Sequence, residues 1–366
     1  MTSDANLLYT EVEEELRASV RAALARKLSA ASVIALYDSG VVDSDLWTTL
    51  AGELGLAGLL APEEYGGAGA TTREAAVVVE ELGRSVVPVP FLTSAVIAMT
   101  TVLAAQAHDL VGRVASGTVA ALAVPFATGP STSRATVTAD SGGVLHGQIR
   151  SVAGADWAEV LLVPAESPDG FQIYSVPADQ ARIKLVVSLD MSRPVADIDV
   201  TGATGEPIAG GDAARAAVAR ALETGAALLA SEQVGLAHWC LDSTLEYLKV
   251  RKQFGRVVGG FQALKHRLAD LFTQVESARA AARYAAATAA AGDADSAIAA
   301  SIAQAYCSDI AVLAAEECVQ LHGGIGMTWE HPAHLYLKRA KADQIALGTP
   351  EKHHARLAEL IDLPAT

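Results

Sequence analysis

Apolar positions recur along this chain at two different periods, and the period changes twice. From Leu7 to about Gly117 the spacing is helical. Glu11, Glu13, Glu14 and Glu15 precede Leu16, Val20 and Leu24, an acidic first turn followed by one apolar face, which predicts a helix. Asp43 opens a D-S-D stretch of cap-type residues ahead of an apolar run to Leu54. The segment "PEEYGGAGATTREAAVVVEELG" reads as a glycine-rich loop and then a helix capped at Thr71 or Thr72, with Gly83 where a helix C-terminus takes one. Ser85 to Ala107 is the most membrane-like run and carries no charge. It contains Pro88 and Pro90, however, and only about seventeen residues follow the second proline, so a buried helix is expected rather than a membrane span.

From Thr118 to about Ile208 the period drops to two. "TVAALAVPF", "RATVTAD", "GVLHGQIR", "EVLLVPA", "FQIYSVPA", "IKLVVSL" and "ADIDVTG" are short strand candidates, separated by turn signals such as Asp140-Ser-Gly-Gly and Asp169-Gly. From Gly211 onward the helical period returns. Asp212 to Val250, Gln262 to Ala291 closed by Gly292, and Asp293 to Leu321 read as long alanine-rich helices, with shorter pieces to Leu363. The expected fold class is α+β, mainly α. Residues 1–117 form an N-terminal helical domain, 118–208 a middle antiparallel β domain and 209–366 a C-terminal four-helix-type bundle.

Composition narrows the function classes. Half of the 366 residues are apolar, a globular value. A formal net charge of −15 argues against nucleic acid as a partner, because phosphate neutralisation needs an excess of Lys and Arg. Cys240, Cys307 and Cys318 have no CxxC spacing and lie in apolar helical sequence, as reduced cytoplasmic thiols do. The acidic, amphipathic start is unlike a secretory signal.

Four features invite a chemical reading, and each has a plain one. "KVRKQFGR", Lys249 to Arg256, is a basic helix end that complements the helix dipole, or an anion clamp in which Arg251 presents its fork to a phosphate and Phe254 packs on a ring. "QLHGGIG" is a helix C-cap with Gly323 or Gly324 at positive φ, or a bare backbone on which a ligand lies, with Gln320 offering an amide. His331, His334, His353 and His354 have no companion Cys or patterned carboxylate, so no metal site is expected. Glu232, on an otherwise apolar helix, is either a paired carboxylate or an acid/base group.

In this order, "PEEYGGAGATTREAAVVVEELG", "RKQFGRVVGGFQALKHRLADLF" and "QLHGGIGMTWEHPAHLYLKRAKADQIALGTPE" resemble the acyl-CoA dehydrogenase family, over nearly the whole chain. The resemblance implies FAD between the β domain and the bundle, a tetramer, and α,β-desaturation of an acyl-CoA. A carboxylate removes the α-proton, the flavin takes a hydride, and an acceptor such as an electron-transferring flavoprotein takes the electrons. It further implies that Arg251, Gln253, Phe254, Gln320, Gly323 and Gly324 hold the adenosine diphosphate end of a neighbouring subunit's FAD, and that Thr349 is a further FAD contact.

The departures matter equally. Leu347 of "IALGTPE" stands where many members carry the catalytic glutamate. Other branches place the base in the first bundle helix, where this chain aligns Gly225 and Ala226, with Glu232 about 10 Å further along the axis. Ser151 and Ala153 align with the flavin-facing Trp and Thr, and "VPFATGPSTS" replaces the usual flavin loop. The pattern resembles the actinobacterial heteromeric (α2β2) branch acting on steroid-derived and other bulky acyl-CoA thioesters, with this chain as the non-catalytic, cofactor-completing subunit. Two alternatives stay open. One is a complete homotetramer with Glu232 or Glu223 as an unconventional base. The other is a flavin-free scaffold.

Overall fold

The computed structural model of the protein describes residues 7–39, 44–131 and 135–363. The expected cap residue Asp43 and residues 132–134 of the loop after Phe126 lie outside them. α1 (Glu11–Lys27) opens with a capping box between Thr10 and Glu13. The Glu13 carboxylate is buried and also receives Arg73 at 2.8 Å. α2 (Ala30–Ser39) and α3 (Ser44–Thr48) follow, the latter widening into a π turn over Thr49–Glu53. α4 (Thr72–Arg84) is capped by Thr71 with Glu74 as its reciprocal partner. The charge-free stretch is a buried helix: a π segment over Phe91–Ala98, all of it buried, runs into α5 (Met99–Ala104), and α6 (His108–Ala115) completes the region.

Gly83 does not end its helix. The C-cap of α4 is Ser85, and Gly83 is bare because a Cβ there would collide with the backbone carbonyl of Glu232. Gly235 is its counterpart, since its Cβ would strike the carbonyl of Glu80. Two glycines on facing helices thus let the backbones approach more closely than side chains allow.

Among the described residues the middle region has nine strands: β1 (Ala120–Leu122), β2 (Val137–Ala139), β3 (Leu145–His146), β4 (Gln148–Ala153), β5 (Val160–Ser167), β6 (Gly170–Pro177), β7 (Arg182–Val186), β8 (Val195–Asp199) and β9 (Glu206–Gly210). One sheet runs β3-β2-β5-β6-β9 with β1 also on β5, and a second runs β4-β8-β7. The ladders are antiparallel except for β1 and β2, which pair parallel to β5. β5 explains the unbroken apolar run "EVLLVPA". Leu161, Val163 and Ala165 face the interior between the sheets, whereas Val160 and Leu162 face the helices, so both faces are buried. β9 has too little alternation to be anticipated, and pairing with β6 holds it.

The third region begins with α7 (Gly211–Val250), 40 residues or about 60 Å long. Its N-terminal half belongs to the core shared with the N-terminal helices and its C-terminal half to the bundle core. A hairpin, β10 (Lys252–Gln253) and β11 (Arg256–Val257), leads to α8 (Gln262–Ala291), which Gly292 stops in the left-handed conformation (φ 60°). α9 (Ser296–His322), a 3₁₀ turn over Gly323–Met327, α10 (Ala333–Ile345) and α11 (Pro350–Leu360) complete the fold. Among the described residues, the helix long and apolar enough to cross a bilayer is the Ser296–Met327 stretch rather than Ser85–Ala107. Its most apolar window is 67% buried inside the fold, as the central helix of a bundle is. The three cysteines are free and buried.

Candidate functional site

Two bundle helices end side by side. Arg251 caps α7 with extended backbone (φ −67°, ψ 128°), its N–H donating to the Tyr247 carbonyl at 2.9 Å. The hairpin beyond turns on Phe254 and Gly255, with φ of 51° and 74°. A two-residue turn with both φ positive matches the twist of the flanking strands. Gly255 adopts it freely, but a phenylalanine there is strained by about 1–2 kcal/mol. Phe254 is nevertheless 90% exposed, with only an edge contact to Phe261 at 6.3 Å. The Gln253 amide reaches only the Lys252 carbonyl at 2.8 Å, and the Arg251 guanidinium has no hydrogen bond or ion pair among the described residues.

At the end of α9, three glycines have three different reasons. Gly323 is the C-cap at φ 64°. Gly326 lets the 3₁₀ turn fold back, since its Cβ would sit 2.6 Å from the Val319 carbonyl oxygen. Gly324 has neither a positive φ nor any atom of this chain within 4 Å of a Cβ. Gln320 is exposed beside them, with Met327 (81%) and Trp329 (59%). The rings of Tyr247 and His322 stack at 4.6 Å, which joins the two helix ends. Arg251, Gln253, Phe254, Gln320, Gly323 and Gly324 are therefore carried on one exposed end of the bundle. Thr349 is not among them: it is the N-cap of α11, two residues past Leu347.

Leu347 sits in a second cluster. It is 1% exposed, at φ 54°, and its N–H donates to the Phe126 carbonyl at 2.7 Å. The Phe126 N–H donates in turn to the Ser151 carbonyl at 2.9 Å, and His353 Nε2 contacts the Leu347 carbonyl at 3.0 Å. A Cβ on Gly225 would meet Leu347 Cδ1 at 3.1 Å and Ile97 Cγ1 at 2.9 Å. The two positions where the sequence resemblance looked for a base thus face each other, as leucine and glycine. The cavity among Thr93, Ile97, Val124, Phe126, Leu222 and Leu347 is about 20 Å³, and no carboxylate lines it among the described residues.

Glu232 lies elsewhere, 2% exposed and held by two guanidiniums. Arg193 approaches both carboxylate oxygens, and Arg339 Nη1 donates at 2.6 Å. Burial opposes its charge, yet Arg193 and Arg339 keep its carboxyl below the ordinary range. Arg339 also binds Asp190, and Arg193 binds Asp343 at 2.7 Å. Three buried carboxyls share two guanidiniums, and Asp343 Oδ2 has no partner. Burial and the neighbouring Glu232 push the Asp343 carboxyl well above the ordinary carboxyl value. Asp190, Arg193, Arg339 and Asp343 were not anticipated from sequence. The available signal was Arg339 and Asp343 at i,i+4 on the buried face of α10. Glu223 is ion-paired with Arg356. The histidines serve packing: His331 lies 4.2 Å from His322, His334 lies 4.6 Å from Trp329, and His353 holds the Leu347 turn. Beside that cavity, a Cβ on Gly154 would collide with the Thr93 side chain, and Asp156, two residues on, has a buried oxygen without a partner. Burial pushes its carboxyl up to about 6.

The chain matches the family model for the acyl-CoA dehydrogenase N-terminal domain over residues 10–117 and that for the C-terminal domain over residues 215–361. Acyl-CoA dehydrogenase IpdE2 of Mycolicibacterium smegmatis is 37% identical over 349 residues, covering 95% of this chain and 98% of the relative. The chain belongs to the acyl-CoA dehydrogenase family. Among solved structures of such proteins, a variant of the Tcur3481-Tcur3483 steroid ACAD is 29% identical, with a TM-score of 0.85 over 96% of this chain and 98% of that one. Butyryl-CoA dehydrogenase of Megasphaera elsdenii, 21% identical, shares the fold with a TM-score of 0.88 over 97% and 99% of the two chains. Acyl-CoA dehydrogenases are FAD-dependent oxidoreductases acting on acyl-CoA. The two clusters of this acyl-CoA dehydrogenase fit FAD differently. Around Leu347 they do not fit: backbone hydrogen bonds join Ser151, Phe126 and Leu347, and about 20 Å³ cannot take a flavin ring. At the bundle end, an unpaired guanidinium, two amides and an uncovered glycine turn fit the diphosphate end of a dinucleotide.

Proposed function

We propose that this chain is the cofactor-completing subunit of a heteromeric acyl-CoA dehydrogenase. It lends Arg251, Gln253, Phe254, Gln320, Gly323 and Gly324 to FAD carried by a second, similar chain, and it supplies no catalytic base. When bound, FAD supplies the hydride acceptor for α,β-desaturation of the acyl-CoA. The role of this chain is to hold: Arg251 neutralises diphosphate charge, and Gly324 leaves room for the cofactor against bare backbone. The observation that carries the reading is the packing of Leu347 onto Gly225 and Ile97, which fills both places a base would come from. A bulky, steroid-derived acyl group is the favoured substrate class, supported by the likeness to a steroid ACAD at 29% identity.

The homotetramer with Glu232 as base is disfavoured, because that carboxylate is buried between Arg193 and Arg339. A flavin-free scaffold leaves Gly324 without a reason. The test is to express the chain alone and together with a second acyl-CoA dehydrogenase chain, and to record visible absorption and acyl-CoA oxidation. The expected result is a colourless chain alone and a yellow, active oligomer after co-expression. Full flavin occupancy and turnover by the chain alone would overturn the proposal.

A further inference from the structure

The proposed cofactor surface has two halves on two helix ends, and one side chain touches both. His322 is the last residue of α9, directly before Gly323, and is 3% exposed. Its Nδ1 lies 2.7 Å from the carbonyl oxygen of Cys318, one turn back, so Nδ1 carries the proton and ties the ring to its own helix. One face of the ring stacks on Tyr247 at 4.6 Å with 26° between planes. The carbonyl of Tyr247 is the one that takes the Arg251 N–H at 2.9 Å. His331, from the segment after the glycine turn, approaches the same ring at 4.2 Å and 42°. Gly326 folds the turn back over it, with room for a Cβ only 3.0 Å from the His322 Cβ. The end of α7, the end of α9 and the returning segment therefore meet at one imidazole. Its hydrogen bond fixes the plane of the ring, and its stack fixes Tyr247.

We propose that His322 is a positioning residue: its ring is the joint that sets the spacing of Arg251 from the Gly323–Gly324 turn, so that two helix ends act as one dinucleotide-binding surface. The inference rests on the proposed function above. It adds a residue that is itself buried and need not touch the cofactor. Stacked rings transmit position because sliding them apart exposes apolar area and loses the offset geometry they prefer.

The test measures FAD dissociation from the assembled oligomer, with assembly state and melting temperature recorded for each variant. Tyr247→Phe keeps the stack and is expected to release FAD as the wild type does. Tyr247→Leu and His322→Ala remove it and are expected to release FAD about tenfold faster, the loss of roughly one well-placed hydrogen bond, while the oligomer stays assembled. In Arg251→Ala, adding His322→Ala should cost less than it does in the wild type, because the ring acts partly through Arg251. If Arg251→Ala releases FAD and Tyr247→Leu does not, the joint is refuted and the cofactor surface stands. If neither variant releases FAD, the cofactor surface itself is refuted. Should His322→Ala fail to assemble, the Tyr247→Leu and Tyr247→Phe pair decides alone. Equal losses in both would refute the stack in favour of the hydroxyl.

Discussion

Gly225 and Gly324 are both bare, for opposite reasons. At Gly225 the space a Cβ would need is taken by Ile97 and by Leu347, 3.1 Å away. At Gly324 nothing of this chain lies within 4 Å, and the backbone does not need φ above zero. One glycine is explained inside the chain, and the other is proposed to stay bare for a partner's cofactor. The same contrast separates their surroundings. Around Leu347, backbone groups are paired with one another and the cavity is about 20 Å³. Around Gly324, Arg251 and Gln320 are exposed, and Phe254 is held in a strained turn facing solvent. Under the proposed function, this strained and exposed aromatic is a contact made in the assembly.

The largest effect expected from breaking this contrast comes from Glu232, the carboxylate that either cluster might have claimed. Removing one member of a buried ion cluster leaves the groups it held, here Arg193 and Arg339, without those hydrogen bonds, and costs about 3–5 kcal/mol. Glu232→Ala should therefore lower chain stability by about that amount in denaturant titration. Turnover per assembled, flavin-loaded oligomer should stay near wild type. A turnover loss above about a thousandfold, more than 4 kcal/mol of transition-state stabilisation, with assembly intact would make Glu232 the base.

Next in size is Arg251→Ala at the open cluster. A charge-assisted hydrogen bond to diphosphate contributes roughly 1.5–3 kcal/mol, so FAD affinity of the oligomer should fall about ten- to a hundredfold. Arg251→Lys should recover only part, because a point charge lacks the planar fork. An ordinary helix-end charge would instead change melting temperature slightly and leave FAD titration unmoved.

Asp156 tests whether the other cluster is closed in solution. Its carboxyl is raised from 3.8 to about 6 by burial, so the folded chain holds the proton longer than the unfolded chain does. The sign follows: the group costs nothing below pH 3.8, its cost grows as pH rises towards 6, and it is constant above that. Allowing for partial exposure, Asp156→Asn should stabilise the chain by about 1–2 kcal/mol at pH 7 and by almost nothing at pH 4. No difference between the two pH values would mean that the carboxyl is hydrated and the wall beside Thr93 is open.

The periods of the sequence carried most of the fold. Gln262–Ala291 was legible as a helix from its alanine run and Gly292, and β5 as a short strand candidate between turn signals. Gly83 was misread because a helix-end glycine and a helix-crossing glycine look alike until the facing carbonyl of Glu232 is in view. The parallel placement of β1 and β2 on β5 was invisible, since alternation reports faces and not strand direction. At the site, the RKQFG and QLHGG motifs were visible as motifs. Only the family resemblance brought them together; the Tyr247–His322 stack that joins them links residues 75 positions apart and has no local signal. The buried cluster of Asp190, Arg193, Glu232, Arg339 and Asp343 draws on three separate segments, so no local pattern announced it.

The smallest effect on the chain, and the sharpest on the comparison, belongs to Gly324→Ala. Its backbone conformation is one that alanine adopts, and a Cβ there meets nothing of this chain within 4 Å. Replacing glycine under those conditions restricts the unfolded chain and should stabilise the isolated protein by about 0.4–1 kcal/mol. In the assembled oligomer the added methyl lies where the partner's cofactor is proposed to rest, and FAD retention should fall. One substitution thus moves two measurements in opposite directions, which neither a packing role nor a turn role for Gly324 can produce. Gly225→Ala is the mirror experiment. Its methyl would press into Leu347 and Ile97, so it should destabilise the chain, as overpacking does, by about 1–3 kcal/mol, and leave FAD retention by the folded oligomer unchanged. If Gly324→Ala instead behaves as Gly225→Ala is expected to, losing stability without losing FAD, the bundle end is filled from within and the distinction between the two clusters collapses.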